Sequence, residues 1–191
     1  MTESASTPRL RATFAIYLAL IVVSAFVGPR QVGSWIYYVT GFLGFVCVAL
    51  ASLGRIWCSV YIAGHKDAVL VTTGPYAACR HPLYSLSVLG ALGLGLTTRS
   101  ATLCAITLLC ILALVWRAAA REEKSLANAF PSEFDAYVKT TPNKWWPARS
   151  GAAPERVEVR PTVLWKAFLD AGSFFLLWLL VTIATEYRLS M

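Results

Sequence analysis

A chain of 191 residues with 57% hydrophobic and 14% charged residues cannot dress itself in a polar skin, since an average soluble domain is roughly 45–50% apolar and about 25% charged. Soluble globular and disordered classes are excluded, and an all-α, polytopic integral membrane helical bundle is expected, as one domain over residues 1–191. The five cysteines form no Cys-x-x-Cys pair, and with His65 and His81 they show no zinc-type spacing, so neither a disulfide scaffold nor a metal site is expected.

Five apolar stretches predict five transmembrane helices, at about 12–29, 31–54, 82–98, 100–116 and 163–185. At ~1.5 Å per residue each reaches across a hydrocarbon core of about 30 Å. The first follows Arg9 and Arg11 and is read as a membrane helix rather than a cleaved leader. The third and fourth are barely long enough and are split by Arg99 alone, which reads as a tight hairpin. The fifth carries Asp170, which is expected to pair with Lys166 one turn away. With the N-terminus cytoplasmic and the C-terminus outside, 14 of the 17 basic residues lie inside and only Arg30, Arg99 and Arg188 outside. The net charge of +7 is then a topology signal and a hold on anionic lipid, not a footprint for nucleic acid. Residues 151–154 read as a short linker, and no internal repeat is present.

This topology brings residues 55–81 and 117–166 to one cytoplasmic face. In the first, Thr73-Gly74-Pro75 is turn chemistry, and Pro82 suits the first turn of the third helix. Arg80 and His81 then stand at the mouth of that helix with Tyr84 nearby, a setting for an anionic group or for interfacial anchoring. In the second, the fourth helix is expected to run on through Arg117–Leu126. A four-residue spacing places Ala118, Glu122, Leu126 and Phe130 on one apolar stripe and leaves Glu123 partly wet. Phe130, Phe134, Tyr137 and Val138 predict a short cytoplasmic amphipathic helix, followed by Trp145 and Trp146 at headgroup level.

Taken together, Val69-Leu70-Val71-Thr72-Thr73-Gly74-Pro75-Tyr76, Arg80-His81-Pro82-x-Tyr84, Glu122-Glu123-x-x-Leu126, and Phe130 with Phe134, Tyr137 and Pro142 resemble the isoprenylcysteine carboxyl methyltransferase family and its membrane-embedded relatives. The resemblance covers residues 68–147. It implies methyl transfer from S-adenosylmethionine to a lipophilic, membrane-embedded small-molecule or prenylated acceptor, first of all a carboxylate. It implies a cofactor pocket of Ala68, Val69, Leu70, Val71, Tyr76, His81, Pro82, Leu83, Tyr84 and Glu122. The arginine that the eukaryotic enzymes carry four residues before the first glutamate is Ala118 here, so Arg117 is expected to stand in for it and, with Arg80, to hold an anionic acceptor group. The active site would face the cytoplasm. The alternatives are a lipid-amine N-methyltransferase, a sterol-reductase-like enzyme using NADPH, and a non-catalytic membrane scaffold; acidic Glu122-Glu123 disfavours a pocket for a 2′-phosphate.

Overall fold

Backbone amides set in long apolar sequence are best satisfied within their own segment, and each predicted stretch is an α-helix. The computed structural model describes residues 6–27, 32–62, 69–145, 157, 159 and 161–187. Among them are seven helices and no strand: α1 Ser6–Phe26, α2 Trp35–Ile62, α3 Pro75–Ala78, α4 Pro82–Thr97, α5 Ala101–Ala129, α6 Pro131–Thr140 and α7 Pro161–Tyr187. Trp35–Ile62, Ala101–Ala129 and Leu164–Tyr187 are long and apolar enough to cross a membrane; Arg11–Phe26 and Pro82–Thr97 are apolar but shorter. Ala68, His65, Lys66, Trp146, Pro147 and the 151–154 linker lie outside the described residues.

The expected helix 31–54 is displaced, because α2 starts at Trp35 and runs on to Ile62. Gly54 does not end it: a Cβ there would lie 2.6 Å from Leu86 Cδ2 of α4, so the glycine serves close packing. Arg55 continues the helix because a counter-charge is waiting. Asp170 pairs not with Lys166 but with Arg55, at 2.6 Å from Nη2 and 2.9 Å from Nε. The cross-helix partner wins because one guanidinium donates in several directions at once. It also reaches Ser87 Oγ at 2.7 Å and Leu83 O at 3.4 Å.

The α4–α5 hairpin forms where Arg99 is expected to make it. Arg99 adopts φ 53°, a left-handed conformation that costs a non-glycine residue about 1–2 kcal/mol. The buried hydroxyls of Thr97 and Thr98 bond back to Gly93 O and Gly95 O, and the Ser100 side chain caps α5 by accepting from Leu103 N. α2 and α4 lie antiparallel and nearly in backbone contact. A Cβ at Gly44 would sit 2.8 Å from Gly93 O, and one at Gly93 only 2.7 Å from Gly44 O. Val48, Ala51, Ala91 and Leu94 are fully buried along this seam. Small residues let two helices approach where no water is available to drive them together.

Outside this seam the bundle shows the opposite of a polar coat. Phe14, Trp35, Phe42, Leu53, Leu109, Trp116, Leu176 and Ile183 are all exposed, an apolar belt far beyond the patches a water-soluble surface tolerates. The ends of α2 and α5, the start of α4, the start of α7 and all of α6 gather at one end, called here the motif end.

Candidate functional site

The motif end is built from a turn, a strap and the overhanging part of α5. Gly74 adopts φ 60°, and a side chain there would run into the Tyr61 ring. The tight turn lets Pro75 start the short α3 and buries Tyr76. Tyr76 O accepts from Tyr137 Oη at 2.7 Å, which docks α6 on α3. Tyr76 Oη itself is buried with no hydrogen-bond partner. His81 is the N-cap of α4 and Pro82 its first residue, as expected, and no side chain caps this helix end.

Residues 141–145 cross this mouth as a strap. Arg80 N and His81 N donate to Asn143 O and Lys144 O, each at 3.0 Å. Arg80 Nη1 donates to Thr141 O and Pro142 O, both at 3.0 Å, and Ser85 Oγ donates to Trp145 O. Glu123 fastens the ensemble. Its Oε1 accepts from Arg80 Nε at 3.1 Å and lies 3.1 Å from His81 Nε2, while Oε2 accepts from Lys144 Nζ at 2.7 Å.

This reverses the expected stripe. Ile111, Val115 and Ala119 are the buried ridge of α5, and four residues further on that ridge meets Glu123. Glu122, rotated by about 100°, is 47% exposed and stands 4.0 Å from His81 Nδ1, beyond hydrogen-bond range. Both four-residue series are apolar in sequence, so periodicity could not choose between them. Arg80, His81 and Lys144 choose, because a carboxylate turned inward needs cationic partners. Lys144 is a site-forming residue that the sequence marked only as part of an interfacial stretch. Its spacing to Glu123 is set by the turn between α5 and α6, which periodicity does not describe.

The remaining expected site residues divide into two groups. Val69 and Leu70 line a groove of about 470 Å³ against α6, with Phe130, Ala136 and Tyr137 opposite; Val71 is half-buried beside them. Tyr84 flanks His81 at 5.5 Å between ring centroids, and Trp145 flanks it at 5.7 Å. Leu83 is engaged through its carbonyl by Arg55. Arg80 is committed to Glu123 and the strap, whereas Arg117 is exposed on α5. The structure therefore brings His81, Pro82, Tyr84, Tyr76 and Glu122 together around α4's mouth. Burial lowers the His81 pKa below its ordinary 6.5, outweighing the carboxylates of Glu122 and Glu123, which raise it. Burial likewise raises the Tyr76 and Tyr137 hydroxyls above the usual tyrosine value. The site is thus one of neutral rings with a half-exposed carboxylate at its edge.

Comparison with known proteins gives this geometry a family. The cobalt-zinc-cadmium resistance protein CzcN of Cupriavidus metallidurans is 43% identical over 129 residues, covering 66% of this chain and 59% of that protein. The nickel-cobalt-cadmium resistance protein NccN of Alcaligenes xylosoxydans xylosoxydans is 40% identical over 128 residues, covering 66% and 60%. The chain spans about three-fifths of the length of these curated relatives. No solved structure matches it significantly. The phospholipid methyltransferase profile matches residues 38–133, from α2 through the Arg80–Tyr84 turn to Glu122, Glu123 and the start of α6. Half the length and the whole centre of the bundle are matched, and the chain, an integral membrane protein, belongs to the phospholipid methyltransferase family, within the membrane-embedded superfamily that also contains the isoprenylcysteine carboxyl methyltransferases.

Proposed function

We propose that this protein moves a methyl group from S-adenosylmethionine to the amine of a membrane lipid, at a site on the cytoplasmic side of a five-crossing bundle. The observation that carries the reading is the pairing of a saturated acid with an unsaturated one: Glu123 is fully engaged by Arg80, His81 and Lys144, while neighbouring Glu122 is half-exposed with no such partner. An exposed carboxylate of this kind suits an amine.

The residues present fit the cofactor. Tyr76 Oη is a buried hydroxyl still lacking a partner, and the mouth of α4 has no side-chain cap. His81, Tyr84 and Glu122 surround that mouth, and the Val69–Leu70 groove has the size of a small-ligand site. When bound, the sulfonium supplies an already activated methyl group, so positioning matters more than acid–base assistance. The chain would contribute binding by Tyr76, His81 and Glu122 and the exclusion of water by the strap. An acceptor would approach from the bilayer beside the Trp116–Trp145 stack, whose centroids lie 5.8 Å apart.

A carboxylate acceptor, as in the isoprenylcysteine resemblance, is the second reading, and the exposed Arg117 favours it. Arg117 nevertheless points about 140° around α5 from Glu122, and Arg80 is occupied by the strap. The test uses purified protein in lipid nanodiscs. Calorimetry is expected to show binding of S-adenosylmethionine and none of NADPH. Radiolabelled methyl is expected in an amine-bearing lipid and should resist alkali. Alkali-labile label, characteristic of a methyl ester, would select the carboxylate reading; binding of NADPH alone would overturn both.

A further inference from the structure

His81 is 95% buried, yet only one of its ring nitrogens has a partner within hydrogen-bond distance among the described residues. Nε2 faces Glu123 Oε1 at 3.1 Å. An ionised carboxylate can only accept, so Nε2 carries the proton and donates. Burial keeps the ring neutral near neutral pH, which leaves Nδ1 as a bare lone pair. Across from it, at 4.0 Å, stands Glu122 Oε2, also an acceptor. Two acceptors at that separation do not bond to each other, but a group with several N–H donors fits between them at about 2.9 Å from each.

We propose that Glu123 sets the His81 tautomer so that Nδ1 and the Glu122 carboxylate form an ammonium-binding notch. Glu123 is the positioning residue, acting through the imidazole; His81 and Glu122 make the contacts. The charged and titratable groups facing the ring are Glu122 and Glu123 from α5, Lys144 from the strap and Arg80 beside it on the turn, with the Tyr84 ring along its own helix. Arg80 and Lys144 lie on the Glu123 side, where they hold that carboxylate ionised, and leave the Nδ1 side anionic. This notch deepens the methyltransferase reading and rests on it for its ligand, which has one chemistry and two sources: the α-ammonium of the cofactor or the amine headgroup of a lipid acceptor.

The sequence has only two histidines, so a His65→Gln background leaves His81 as the single reporter in ¹⁵N-histidine NMR. In phosphatidylcholine nanodiscs, Nε2 is expected to carry the proton and Nδ1 to be bare. Adding S-adenosylhomocysteine should shift Nδ1, and its deaminated analogue should not, if the cofactor is the source. Phosphatidylethanolamine should shift Nδ1, and phosphatidylglycerol should not, if the lipid is the source; either pattern supports the notch. Glu122→Gln should weaken the amine-bearing ligand by roughly tenfold or more while leaving the amine-free analogue unchanged. A proton on Nδ1 in the unliganded protein overturns the proposal, as does an Nδ1 signal indifferent to both amines. S-adenosylhomocysteine failing to bind at all, with the lipid arm intact, would instead overturn the methyltransferase reading and leave the notch standing.

Discussion

At the end of the bundle away from the motif, Glu186 on α7 accepts from Tyr37 Oη at 2.6 Å and from Arg99 Nη1 at 2.9 Å. The Arg99 guanidinium lies 4.0 Å over the Tyr37 ring and donates to Tyr37 O through Nε. One acid, one base and one phenol close on one another and tie α2, the α4–α5 hairpin and α7. At the motif end, Glu123 also ties three segments, but it takes three cationic or donor groups for itself and leaves Glu122 with none at bonding distance. The first cluster is self-contained, as a structural clasp should be. The second keeps an unused acid beside a saturated one, together with an unpartnered buried hydroxyl on Tyr76. That surplus of unmet polar capacity separates a binding surface from a clasp.

The comparison is most easily broken at Glu123. Glu123→Ala strands Arg80 and Lys144 beside a partly buried gap and is expected to cost about 3 kcal/mol, the scale of removing one partner from a buried charge cluster; denaturant unfolding in micelles measures it. At the opposite end Glu186, 43% exposed, is screened, so Glu186→Ala should cost only about 1 kcal/mol. Equal losses would mean that the two glutamates do the same work. Acid should separate the ends further. The folded His81 resists protonation because burial lowers its pKa below the ordinary 6.5. An unfolded chain therefore binds the extra proton first, and stability, fully present above that value, falls as pH drops below it. Thermal unfolding between about pH 7.5 and about pH 5.5 should show this loss, and His81→Gln should flatten it. No histidine touches the Glu186 cluster among the described residues. The smallest effect on stability belongs to Glu122→Gln, within about 0.5 kcal/mol because the side chain has no partner to lose. A large destabilisation there would show that Glu122 is structural and sharpen the comparison in the wrong direction for a binding role.

Much of the bundle was legible in composition. The apolar stretches, the Arg99 hairpin, the Pro82 helix start and the amphipathic α6 follow from local rules of length, turn chemistry and periodicity, which act within a few residues. The extension of α2 through Gly54 and Arg55 was not legible, because both residues are explained by partners on other helices, Leu86 and Asp170. Asp170 and Lys166 looked like a pair for the same reason: sequence shows neighbours one turn apart but not a guanidinium reaching in from a helix far away in the chain.

Residue types by themselves determined that this chain lives in a membrane and which short motifs meet at one end of it. Hydrophobicity is additive along a segment, and a helix needs only its own backbone to satisfy itself. Which glutamate turns inward was decided only by the tertiary structure. Glu122 and Glu123 continue equally apolar ridges of α5, and the choice between them rests on Arg80, His81 and Lys144 arriving from two other segments. Charge pairing at a buried site depends on positions in space to within an ångström or so, and that information is carried by the packing of helices rather than by the order of residues in any one of them.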